Sequence, residues 1–178
     1  MKRILVIGAP GTGKTHFSNQ LSDITGIEVT HMDLLYWNAD KTPVSRGVFR
    51  TRLLNVLHRE QWIIDGTYNQ TIDLRLHHCD TVFFLDYPVE TALGGLEAQR
   101  NKARADVPWE GEHPSPKVWE SIHAFPRTLR PAIVDKLQAL DGVTVHVFSS
   151  RTEADDFLVQ ARTPAGGTSG TSSAANMN

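Results

Sequence analysis

Cysteine is nearly absent from this chain. Cys79 is the one cysteine among 178 residues, so no intramolecular disulfide can staple the fold. A long apolar run is missing too: nothing behind Met1-Lys2-Arg3 has the length of a signal or anchor, so the expected compartment is the cytoplasm and no membrane partner is expected. An excess of one charge is also lacking. The 18 basic residues face 20 acidic ones, leaving a net charge of −2 and no basic surplus of the kind that grips a nucleic-acid backbone, so DNA is not supported as a partner by charge. The composition is that of an ordinary globular chain, long enough to bury a core without disulfides or a structural metal.

Short apolar runs alternate with amphipathic stretches. Arg3-Ile4-Leu5-Val6-Ile7 ends on Gly8 and reads as a strand buried on both faces of a parallel sheet. A helix follows from Lys14 to about Thr25, with Phe17, Leu21 and Ile24 on one face and Gly26 as its left-handed stop. Ile27-Glu28-Val29-Thr30 reads as a second strand, and Ser45 caps a helix whose apolar face is Val48, Leu53, Val56 and Leu57. Trp62-Ile63-Ile64-Asp65, Thr81 to Asp86 and Val143 to Phe148 supply the remaining strands. This alternation predicts an α/β fold with a mainly parallel sheet, helices on both faces, and ligands at the carboxyl ends of the strands.

Between about residues 99 and 131 the pattern breaks. Pro108, Pro114, Pro116, Pro126 and Pro131 interrupt short helical pieces that carry Arg100, Arg104, Arg127 and Arg130, which reads as an inserted lid. Residues 1–162 are thus expected to form one domain, and 163–178, poor in large apolar side chains, a flexible low-complexity tail.

Chemistry concentrates in Gly8-Ala9-Pro10-Gly11-Thr12-Gly13-Lys14-Thr15, which fits the phosphate-loop (Walker A) pattern G-x-x-x-x-G-K-[ST]. Glycines let the backbone wrap a phosphate so that its amides point inward beside a helix amino terminus. Lys14 is expected to reach the β- and γ-phosphates of a nucleoside triphosphate, and the Thr15 hydroxyl to hold Mg²⁺. A chance match arises on the order of once in a hundred chains of this length; the flanking strand and helix make it specific.

A triphosphate site also needs an acid near the metal. Asp65, beside Gly66 at the end of a strand, is the choice for a water-mediated Mg²⁺ contact, whereas Asp86 reads as a strand-end acid favourable to a helix dipole. Asp33, in His31-Met32-Asp33 just past the second strand, is placed to take the proton of an acceptor hydroxyl. Arg75 is either a bidentate clamp for an anionic acceptor or a surface helix arginine. Arg100, Arg104 and Arg127 are the lid cations suited to the charge that spreads over a transferring phosphoryl group. His77-His78-Cys79 lacks a second ligand pair at finger-like spacing. Asn101-Lys102-Ala103-Arg104 has arginine where a guanine-reading segment needs aspartate, so ATP is the expected nucleotide.

These motifs, with Asp73-Leu74-Arg75, Phe83 to Asp86 and Phe125-Pro126-Arg127, resemble the adenylate-kinase-like P-loop proteins known as DNA topology modulation proteins of FlaR type. The resemblance spans about residues 2 to 160. It implies a three-layer fold of nucleoside monophosphate kinase type: a five-stranded parallel sheet in order 2-3-1-4-5, an acceptor region after strand two and an arginine-bearing lid after strand four. The expected activity is Mg²⁺-dependent transfer of the γ-phosphoryl group of ATP to a small-molecule acceptor. The alternative is a nucleotide-gated regulatory or DNA-topology-associated NTPase without such an acceptor.

Overall fold

The computed structural model describes residues 1–99, 105–109 and 115–162. Arg100, Arg104 and the tail expected over 163–178 lie outside the described residues. Parallel strands β1 (Arg3–Gly8), β2 (Val29–His31), β3 (Trp62–Asp65), β4 (Thr81–Leu85) and β5 (Thr144–Phe148) form one sheet in the order β2-β3-β1-β4-β5. Between and after them run α1 (Lys14–Thr25), α2 (Met32–Tyr36), α3 (Arg46–Leu57), α4 (Ile72–His78), α5 (Val89–Ala98), α6 (Pro116–Ala124), α7 (Leu129–Gln138) and α8 (Arg151–Arg162). The α/β class and strand order agree with the sequence reading.

Alternation along the central strands sorts the core into two layers. Ile4 and Val6 of β1, Ile63 of β3, and Phe83 and Leu85 of β4 pack with Phe17 and Leu21 of α1 and Leu158 of α8. Leu5, Ile7, Ile64, Val82 and Phe84 point the other way, onto Leu53, Leu76, Ala92, Ile122 and Ile133 from α3, α4, α5, α6 and α7. Strands enclosed this way need apolar side chains on both faces, which is why β1, β3 and β4 read as continuous runs. Helix α1 stops where expected: Gly26 adopts φ 72° and its amide donates to the Ser22 carbonyl at 2.8 Å.

Two elements differ from expectation. The second strand begins at Val29, because Ile27 packs into the core instead of pairing, and it extends to His31, the partner of Asp65 in the ladder. On α3, Ser45 caps the helix by accepting from the Val48 amide, but Val48 itself faces outward. Phe49 takes its place inside, against Tyr36 and Tyr68. Within the stretch read as a lid, Ile122 and Phe125 join the central core, so that part of it is anchored. Among the described residues, no helix is long and apolar enough to cross a membrane.

Candidate functional site

The parallel sheet delivers β1, β2 and β3 to one edge with their carboxyl ends side by side. Register pairs Val6 and His31 with Asp65, and just beyond them the chain turns at Gly8, Met32 and Gly66. The phosphate loop leaves β1 at Gly8 and enters α1 through Gly13, whose φ of 89° is left-handed. Among the described residues no side chain caps this end of α1, so its first amides face the loop, an arrangement that favours an anion. Gly11 has no alternative there: at φ 78°, an added Cβ would fall 2.0 Å from the Ala92 carbonyl oxygen of α5.

Side chains hold the loop's shape. Thr12 is buried and donates to the Ala9 carbonyl at 2.8 Å. The Lys14 ammonium donates to the carbonyls of Gly8 at 3.1 Å and Ala9 at 2.8 Å, so it lies along the inside of the loop that it is expected to share with phosphate. Thr67 joins the loop to the turn after β3, accepting from the Gly8 amide and donating to the Gly8 carbonyl at 2.6 Å. Arg151, at the start of α8, donates to the Gly11 carbonyl at 3.0 Å.

The Thr15 hydroxyl donates to the Asp106 carboxylate at 2.8 Å. Asp106 is buried and lies within the stretch read as a lid, yet nothing in its local sequence singles it out. Asp65, at the end of β3, is bonded to Nδ1 of His31 at 2.8 Å. Burial opposes the positive charge on His31. The hydrogen bond to Asp65 and the charges of Asp65, Asp106 and Asp33 outweigh that effect and hold its pKa above the ordinary histidine value.

Asp33 falls in the first turn of α2, just past β2, and its carboxylate accepts from the Tyr68 hydroxyl at 2.5 Å. Burial and the Asp33 charge keep the Tyr68 phenol protonated, well above its usual range. Tyr68 holds the left-handed φ of 30°, uncommon for a side chain of its size.

Arg75 explains how that conformation is kept, and here the structure corrects the sequence. Expected as a clamp for an anionic acceptor or as a surface arginine, it is instead completely buried. Its guanidinium donates to the carbonyls of Gly66, Thr67, Tyr68 and Thr71, fastening the turn after β3 from below. Burial pulls its pKa down to about 9, which still leaves it a cation at neutral pH. The sequence did not distinguish this role because a helix carrying Asp73, His77 and His78 reads as a solvated one.

A cavity of about 750 Å³ joins the phosphate loop, Asp33, Asp65, Tyr68 and Asp106. Gly8, Gly13, Lys14 and Thr15 line its phosphate-loop end; Asp33, Trp37, Tyr68 and Asn69 line the other; Asp106, Val107, Trp109 and Phe125 line the side formed by the inserted stretch. Trp37 and Trp109 meet edge to face with ring centroids 6.0 Å apart. Arg127 is exposed in the turn between α6 and α7 and does not line the cavity, although Phe125 and Leu129 on either side do. Asp86 forms a fork with Arg130 at 2.7 to 3.0 Å, tying the end of β4 to α7.

No known family's sequence profile matches the chain, and no curated protein does. Among solved structures, a shikimate kinase from Acinetobacter baumannii, in complex with shikimate, is 17% identical with a TM-score of 0.57, covering 90% of each chain. A shikimate kinase from Bacteroides thetaiotaomicron is 14% identical with a TM-score of 0.57, covering 89% of this chain and 95% of that one. A deoxyadenosine kinase from M. mycoides, with bound dATP, is 16% identical with a TM-score of 0.50, covering 88% and 97%. Strand order, phosphate loop and these likenesses together give the chain a P-loop kinase-like fold.

Proposed function

We propose that the protein is an ATP- and Mg²⁺-dependent phosphotransferase acting on a small molecule. The observation that carries this reading is that one cavity begins on the phosphate loop at Gly8 to Thr15 and ends on the half-buried Asp33 carboxylate, with room for a donor and an acceptor. In transfer, the acceptor hydroxyl loses its proton to Asp33 and its oxygen bonds to the γ-phosphorus. The bond from that phosphorus to the β–γ bridging oxygen breaks, and ADP leaves.

Loop amides and Lys14 bind the β- and γ-phosphates. Mg²⁺ would be held by the Thr15 hydroxyl and the Asp106 carboxylate that already meets it, with Asp65 acting through water. That donor set fits Mg²⁺, which keeps several waters and uses one or two carboxylates together with substrate phosphates. When bound, the ion offsets the charge that develops on the transferring group. Arg100, Arg104 and Arg127 are proposed to add positive charge as the inserted stretch closes. The likeness to DNA topology modulation proteins fits here as a proposal in which any effect on DNA is indirect.

The test is incubation with γ-labelled ATP and a panel of nucleotides, nucleosides and sugars. A labelled small product supports transfer. Slow phosphate release alone, accelerated by DNA, would favour the nucleotide-gated alternative.

A further inference from the structure

Resting on the phosphotransferase reading, we infer that Tyr68 is the positioning residue of the Asp33 base: its hydroxyl fixes the carboxylate at the end of the cavity away from the phosphate loop, and transfer depends on that bond. A general base works only when it is aligned and within hydrogen-bond reach of the proton it takes. Asp33 stands on the five-residue helix α2 and reaches the cavity through a side chain free to turn about χ1 and χ2. The Tyr68 hydroxyl, which lines the same cavity, donates to its Oδ1 at 2.5 Å, a short bond of the charge-assisted class. With Oδ1 held, the plane of the carboxylate is set, and with it the direction in which lone pairs meet an acceptor hydroxyl.

The turn after β3 is shaped to bring that hydroxyl there. Gly66, at φ 117°, lets the turn lie against α2: an added Cβ would fall 2.9 Å from the Cβ of Met32, the residue before Asp33. Tyr68 follows at φ 30° and ψ 68°, a left-handed conformation that costs energy in a bulky residue and persists only where its surroundings over-determine it. Arg75 supplies that constraint from below by donating to the carbonyls of Gly66, Thr67 and Tyr68.

Packing of the ring does not call for the hydroxyl. Tyr36 and Phe49 meet the Tyr68 ring at 5.2 and 5.6 Å between centroids, contacts that phenylalanine would make equally. What tyrosine adds is the oxygen on Asp33. Nor is Tyr68 itself the base: burial, with the charge of Asp33 and the bond to it, pulls its phenol far above the usual range. It therefore keeps its proton throughout, and the proton of the acceptor hydroxyl goes to Asp33.

A double-mutant cycle tests this. Transfer of label from γ-labelled ATP, with Mg²⁺ present, is followed to adenosine, thymidine, adenosine monophosphate and glucose, and the variants are compared on the member that the wild type phosphorylates fastest. Tyr68→Phe keeps the ring and should lower kcat about 10- to 100-fold, with KM for the acceptor changed by less than about twofold. In Asp33→Asn, where no base remains to be aimed, adding Tyr68→Phe should lower kcat by no more than about twofold further. A purely structural role for the hydroxyl would cost the same factor in both backgrounds. That result, an unchanged kcat in Tyr68→Phe alone, or a loss carried by KM overturns the inference and leaves the phosphotransferase reading standing. Absence of labelled product from every member with the wild-type protein overturns both.

Discussion

The Thr15 hydroxyl donates to the Asp106 carboxylate across 2.8 Å, joining the phosphate loop to a segment 91 residues further along the chain. If these two oxygens flank the metal, Asp106→Ala should raise the Mg²⁺ concentration needed for half-saturation by about tenfold. Calorimetric titration of Mg²⁺ against the protein with ATP analogue present reads this directly. An unchanged requirement would assign Asp106 to holding the inserted stretch in place.

Adjacent glycines on α5 should behave oppositely. A Cβ at Gly95 would lie 2.0 Å from the Gly11 carbonyl oxygen, whereas one at Gly94 meets nothing within 4 Å. Gly94→Ala is therefore expected to stabilise the fold by about 0.5–1 kcal/mol through helix propensity. Gly95→Ala should displace the helix from the phosphate loop and weaken ATP binding by about tenfold or more. Urea unfolding and ATP titration of the two variants, side by side, check the contrast.

Arg75 is expected to matter for stability first. Replacing it with Met leaves the carbonyls of Gly66, Thr67, Tyr68 and Thr71 without their donor and should cost about 3 kcal/mol. Lysine should not restore the loss, since a single ammonium cannot reproduce the fork. A midpoint of urea unfolding that stays put in Arg75→Met would contradict this account of the turn.

His31 sets a pH dependence. Unfolded, it titrates near 6.5; folded, it keeps its proton to higher pH because of Asp65, Asp106 and Asp33. Its contribution to stability is complete below about 6.5 and is lost as pH rises through the raised folded value. With EDTA present, the unfolding midpoint should fall as pH rises above about 6.5 more steeply in the wild type than in His31→Asn. Identical slopes in the two proteins would remove His31 from the explanation.

Much of this architecture can be read locally, and the parts that cannot have physical reasons. Strands β1, β3 and β4 are enclosed by helices on both faces, so their composition alone marks them. The phosphate loop is legible because its glycine spacing, strand and helix are contiguous. Strand β2 sits at the sheet edge and has one paired neighbour, so its bounds follow from the His31–Asp65 partnership, not from apolar content. The meeting of Asp106 with Thr15, the burial of Arg75 and the approach of Gly95 to Gly11 depend on distant segments arriving together. No local window of sequence holds that information.

The central claim is that Gly8 to Thr15 binds the triphosphate of ATP through Lys14, and thermal unfolding with and without MgATP tests it most directly. The wild type should be stabilised by about 2.7 kcal/mol at about 100 times its Kd, and Lys14→Ala, folded but lacking the ammonium, should show no such shift. Equal stabilisation of the two proteins by MgATP would contradict the account.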